Sequence, residues 1–199
     1  MSEEALTTHR ATVIADPGPL GLAGFAMTTL VLSFINAGII KEAGAITVVL
    51  GLALFYGGLA QFAAGLWEFR RGNTFGATAF CSFGAFWLSY WAIVNHLQGT
   101  EDVHQALGLF LLSWTLFTAY MSVAALRTDG AVLAVFVTLT LTFLFLALGA
   151  FQNSTPAPDV LTKIGGYLGI LTALLAWFAS AAVVINATHK RTVLPTMPR

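Results

Sequence analysis

The sequence predicts an all-α integral membrane protein with six transmembrane helices in a single domain. Composition is the first reason: of 199 residues, 57% are hydrophobic and only 9% are charged, with a mean hydropathy of +0.81. A soluble domain carries roughly a quarter charged residues, so this chain does not fit that class. The second reason is where the charges fall. They leave nearly uncharged apolar runs, each close to the ~20 residues that cross a hydrocarbon core of about 30 Å. The third is punctuation: glycine, proline and polar turn residues separate those runs, as chain reversals require.

The first span covers 20–40. Pro17 and Pro19 precede it, where a missing N–H costs nothing and a fixed φ favours the first helical turn. Thr29, Ser33 and Asn36 recur at helical spacing and draw a polar line down one face. Lipid cannot satisfy those groups, so the helix reads as pore-lining. The second span, 44–68, carries Gly51, Gly57, Gly58 and Gly65 and closes on Glu68, Arg70 and Arg71, with Gly72-Asn73 as the turn. The third, 75–97, is aromatic: Phe75, Phe80, Phe83, Phe86, Trp87, Tyr90 and Trp91. A loop from Gln98 to Asp102 leads to the fourth, 103–126, and Arg127-Thr128-Asp129-Gly130 turns into the fifth, 131–151. Pro156 and Pro158 break the chain before the sixth, 160–187. The expected organisation is a polar tail at 1–15, the six-helix domain at 16–188 and a second tail at 189–199.

Arg10, Arg70, Arg71, Arg127, Lys190, Arg191 and Arg199 fall on one side of this layout, and only Lys41 and Lys163 on the other. The positive-inside rule then places both termini in the cytoplasm. The acidic start, with Glu3 and Glu4, is unlike a secretory signal. Formal net charge is zero, so no basic surface calls for nucleic acid. Cys81 is the sole cysteine; it permits no intrachain disulfide and supports no zinc site. No HExxH, GxSxG or paired intramembrane Asp occurs, so neither catalysis nor a metal or other cofactor is expected.

Acidic and basic residues keep to tails, loops and helix ends. Any pathway through the bundle is therefore built from hydroxyls, amides, backbone dipoles and rings. Such a lining hydrogen-bonds a small carboxylate without trapping it on a fixed charge. Candidates are Thr29, Ser33 and Asn36 on the first span, Gln61 on the second, Thr78 and Ser82 on the third, Thr138 and Thr142 on the fifth and Thr172 and Ser180 on the sixth. Serine and threonine also bond their own helix or glue helices together, whereas burying a whole amide such as Gln61 needs several partners. The glycines of the second span, and Gly165 with Gly169, read as close helix packing. Glu68 and Arg71 read as a solvated ion pair at a helix end, or as guards of a cytoplasmic mouth. His96 and His104 lack ligand-like spacing.

Pro17-Gly-Pro-Leu20-Gly21-Leu22, then Gly24-Phe25 and Thr28-Thr29, closely resemble the acetate uptake transporter family, the succinate–acetate permeases. Phe55-Tyr56-Gly57-Gly58-Leu-Ala-Gln61, Gly72-Asn-Thr-Phe-Gly76, Phe86-Trp87 and Arg191-Thr-Val-Leu-Pro195 match in order, so the resemblance covers about residues 16–196. It implies a six-helix protomer in a homo-hexameric ring, each protomer passing acetate and, in some members, succinate. It also implies a hydrophobic constriction at Phe25, Phe83 and Leu139, and a size-setting position at Ala176. This chain has Asp16 where the family has Asn, and Phe83 where relatives commonly carry Tyr. Acetate would hop past the constriction between weak sites at Thr28, Thr29 and Gln61, helped by the free N–H groups at the start of the first helix. The expected location is the cell (inner) membrane of a prokaryote, with lipid as surroundings. Two other readings stand beside it: a facilitator of water or another neutral solute, and a non-transporting sensor or scaffold.

Overall fold

A computed structural model describes residues 14–96, 102–153 and 158–197. Its helices are α1 (Gly18–Asn36), α2 (Ala45–Arg71), α3 (Thr74–His96), α4 (His104–Ala125), α5 (Gly130–Gln152) and α6 (Val160–His189), all six long and apolar enough to cross a membrane. No strand occurs among the described residues. Residues 1–13 of the expected tail at 1–15 and most of the loop from Gln98 to Asp102 lie outside them, as do 154–157 and 198–199.

Local chemistry fixes most helix ends. Asp129 and Asp159 cap α5 and α6 by accepting the N–H groups of Val132 and Thr162, each at 2.9 Å. Gly72, at φ 75°, ends α2, and the Asn73 N–H returns to the Glu68 carbonyl at 3.0 Å. The first span is shorter than expected, stopping at Asn36 instead of residue 40. Gly38 adopts φ 71° and the Ile39 N–H closes on the Phe34 carbonyl at 3.0 Å. A glycine just past a helix end is a stop that apolar run length conceals.

Around the bundle, α1 lies between α2 and α6, α6 packs on α5, α5 on α4, and α3 on α2. The tightest approaches are made at glycines. A Cβ on Gly65 would sit 2.5 Å from the Cys81 backbone nitrogen, and one on Gly84 2.8 Å from the Phe62 backbone. Gly166 meets the α1 backbone at Ala37, Gly169 meets Ser33, and Gly165 meets Leu146. Close packing at Gly58, Gly65, Gly165 and Gly169 thus matches expectation. Gly51 does not: it is exposed, with nothing within 4 Å of its would-be Cβ.

Where α3 faces α4 and α5, rings fill the gap and hold the backbones apart. Phe83 lies 5.7 Å from Phe25, 5.8 Å from Trp114, 5.4 Å from Phe117 and 6.0 Å from Phe136. Tilted and edge-on ring pairs of this kind contribute about 0.5–1.5 kcal/mol each. Trp87 is 2% exposed, so it packs inside and is no interfacial belt residue. After α6 the chain turns back. Asn186 bonds the Leu194 carbonyl and the Val193 and Leu194 N–H groups, and the Gly130 N–H meets the Met197 carbonyl at 2.9 Å. The second tail is docked on the end of the bundle.

Candidate functional site

The bundle encloses a cavity of about 500 Å³. Its mouth lies where α1 and α5 end and α4 and α6 begin, among Asn36, His104, Asn153 and Asp159. The start of α1 and the end of α2 lie at the opposite end of the bundle: Asp16 pairs with Arg71 at 2.7 Å. Thr29, Ser33, Trp87, Tyr90 and Thr142 line the cavity's sides, and Phe25 and Leu139 belong to its wall. A void of about 20 Å³, room for roughly one water, is bounded by Leu22, Gln61, Phe80, Phe83, Phe25 and Leu139. Phe25 and Leu139 border both spaces, so they stand between them. Phe83 closes the smaller space and lies 3% exposed in the same core cluster as Phe25 and Leu139. The three residues expected at a constriction are therefore brought together.

Among the described residues, three buried side-chain polar atoms have no hydrogen-bond partner: Thr29 Oγ1, Gln61 Oε1 and Trp87 Nε1. An unpaired buried polar group costs about 1–3 kcal/mol, so each stands out. Thr29 and Trp87 belong to the large cavity, Gln61 to the small one. Thr29 and Trp87 are donors a carboxylate can use; the Gln61 oxygen is an acceptor suited to a protonated acid or a water. Trp87 was not among the candidates found by sequence, because a tryptophan in an aromatic span reads equally as packing.

The other expected positions are engaged elsewhere. Thr28 is fully buried and donates to the Gly24 carbonyl at 2.9 Å; its hydroxyl faces Gly57, and it lines neither space. Thr138 donates to Ala134 at 2.8 Å and accepts from Thr172 at 2.9 Å, joining α5 to α6. Ala176 is fully buried in the core cluster, outside both linings. In the Pro17 to Leu22 motif, Pro17 and Gly21 are buried, Leu20 is exposed, and Leu22 reaches the small void. A Cβ on Gly21 would meet the Phe80 ring at 2.6 Å, and one on Gly24 the Tyr56 carbonyl at the same distance. Pro19 presents its carbonyl to Ser180 at 2.7 Å. The N–H of Gly18 is bonded by Asp16 at 2.8 Å, so a carboxylate of the chain itself occupies the end of α1 expected to attract anions.

Two features escape sequence reasoning. Phe55–Ala60, containing Tyr56, Gly57 and Gly58, is wound as a π-helix directly before Gln61. That extra residue per turn re-aims the side chains that follow it, and the adjacent glycines were its only trace in sequence. Glu68 is no solvated residue either. It is 2% exposed, accepts from Asn73 Nδ2 at 3.0 Å, and lies 3.6 Å from Arg71. Its helix-end position suggested water; the turn at Asn73 and the start of α1 cover it. At the other end of the bundle, the hydrogen bond from His104 holds the exposed Asp102 carboxyl below the usual carboxylate range.

Six apolar spans around an internal cavity, interrupted by apolar side chains and lined by unpaired polar atoms, define an integral membrane protein with a pathway-like interior. The chain belongs to the GPR1/FUN34/yaaH family, whose model matches residues 2–199. It is 38% identical over 187 residues to the succinate-acetate/proton symporter SatP of Escherichia coli, covering 92% of this chain and 96% of that protein. It is 38% identical to acetate permease A of Emericella nidulans, over 93% of this chain. It is 42% identical to ammonia transport outward protein 2 of Saccharomyces cerevisiae, over 92% of this chain. The match spans 66% of the length of each of those two fungal relatives. The solved structure of the bacterial acetate channel SatP superposes with a TM-score of 0.84 at 37% identity, covering 92% of this chain and 99% of that one.

Proposed function

We propose that this protein passes acetate and related small carboxylates across the membrane, along one pathway within each protomer. The observation that carries the reading is the pair of cavities meeting at Phe25 and Leu139. A narrow apolar point along a pathway acts as a dewetting gate. Thr29 and Trp87 give a small acid polar contacts on the large-cavity side of the gate, and Gln61 lies beyond it, bordering the small void. With no formal charge at the gate, the acid leaves each contact as readily as it arrives. The similarity to proteins named acetate permease, succinate-acetate/proton symporter and acetate channel supports the same substrate class.

In this reading the basic end, with Arg70, Arg71, Arg127 and Lys190, faces the cytoplasm, and the 500 Å³ cavity opens to the opposite side. The membrane is the inner membrane of a prokaryote. Exposed apolar side chains such as Phe55, Leu109, Leu116 and Val123 meet lipid or neighbouring copies in a homo-hexamer.

Entry of labelled acetate into proteoliposomes, with pH and potential equal across the membrane and protein-free vesicles as background, tests the reading. Flux above background that excess succinate blocks supports it. Absence of flux with or without a proton gradient refutes it. The similarity to an ammonia transport protein makes labelled methylammonium the second substrate to run. Entry of methylammonium alone would favour the neutral-solute reading.

A further inference from the structure

Two carboxylates share one guanidinium at the end of the bundle where α1 starts. Arg71 Nη1 lies 2.7 Å from Asp16 Oδ1 and 3.6 Å from Glu68 Oε2. Asp16 and Arg71 are partly exposed, at 42% and 34%, but Glu68 is 2% exposed. With both acids ionised the triad carries one uncompensated negative charge, and the buried member has the poorer share of the cation. Its single short hydrogen bond comes from Asn73, whereas an ionised carboxylate has about four acceptor sites. From α3 the side facing Glu68 is Gly76, and from the start of α1 it is Gly18, 3.5 Å from Oε1 at its would-be Cβ. No further charged group faces it among the described residues. One proton would cancel the surplus charge, and the least solvated oxygen is where it belongs.

Glu68 also lies in line with the small void. Three of the four helices that wall that void lead towards it: Leu22 stands one turn along α1 from Gly18, Phe80 one turn along α3 from Gly76, and Gln61 two turns along α2 from Glu68 itself. The buried face of α2 from Gln61 through Ala64 and Gly65 ends on this carboxylate.

We propose that Glu68 is the proton-accepting station of the transport pathway, taking the proton of a carboxylic acid that has crossed the gate. The inference rests on the transport reading above. The acid's O–H bond breaks and its proton bonds a Glu68 oxygen. The products are the free carboxylate anion and a neutral glutamic acid, in a triad that is then electrically balanced. The proton leaves to water at the basic end of the bundle, past Arg71 and Asp16, on the side where the anion leaves, so acid and proton travel together.

The test uses the full-length protein in vesicles containing a trapped pH dye, with protein-free vesicles subtracted. Labelled acetate and internal pH are followed at equal pH and under an inward proton gradient. The wild type should show flux that rises with the gradient, with one proton delivered per acetate. E68Q should lose both the gradient response and the one-to-one delivery of protons with acetate. Because Glu68 is buried, D16N supplies a second arm at an exposed position. Removing Asp16 leaves Arg71 to Glu68 alone, favours its ionised form, and should move the pH of half-maximal gradient response downward. A gradient response retained in E68Q, a wild type indifferent to the gradient, or an unshifted D16N with E68Q failing to assemble would each overturn the assignment. No flux from the wild type under any condition would instead overturn the transport reading.

Discussion

Ser180 Oγ donates a 2.7 Å hydrogen bond to the carbonyl of Pro19, joining residues 161 positions apart. The bond fastens the last third of α6 to the first turn of α1. Ser180 is buried, so removing its hydroxyl forfeits a shielded inter-helix bond, while the Pro19 carbonyl keeps its place in the hydrogen-bond ladder of α1. Ser180→Ala should lower stability by about 1–2 kcal/mol, visible as a lower Tm of the detergent-solubilised protein. An unchanged Tm would show that another donor takes over.

Gly24 faces the backbone carbonyl of Tyr56, which a Cβ would approach to 2.6 Å. Backbone cannot swing aside as a long side chain can, and Tyr56 sits in the π-helical turn. Gly24→Ala should therefore cost about 1–3 kcal/mol and cut acetate flux by displacing Phe25 next door. A variant with wild-type Tm and flux would mean that the π turn yields freely.

Leu139 stands between the two cavities and Phe83 borders only the smaller. Leu139→Ala should widen the gate and raise entry of the bulkier acid lactate roughly tenfold relative to acetate, the effect of lowering a barrier by about 1.4 kcal/mol. Paired uptake of the two labelled acids in one vesicle preparation measures it. Unaltered selectivity in a properly assembled variant would count against the gate.

Gln61 combines 1% exposure with an unpartnered amide oxygen. Gln61→Leu removes that unpaired atom with little change in volume. The variant should be as stable as the wild type or more so, by up to about 2 kcal/mol, while acetate flux falls. Stability and flux falling together would make Gln61 a structural residue, with a partner supplied by water.

Much of this molecule was legible in one dimension. Apolar run length and charge spacing gave six spans and grouped their ends, because every backbone group in a membrane must bond within its own helix. Small residues at Gly65 and Gly169 announced close packing, because a missing side chain lets helix backbones approach. What one dimension missed has a common cause. Gly38 ends α1 through its φ of 71°, an event of conformation inside an apolar run. Thr28, Thr138 and Thr29 are alike in sequence, yet only the neighbours supplied by other helices leave Thr29 unpartnered and lining the cavity.

The sequence by itself determined the solvent this protein lives in, the number of its spans and the family it belongs to, since these follow from local composition and from motifs read in order. Only the tertiary structure decided that Phe25, Phe83 and Leu139 meet, that Trp87 joins the cavity wall, and that Glu68 is covered where helix-end position suggested water. Those outcomes depend on which helix packs beside which. A residue's exposure and partners are set by chain segments far from it in sequence.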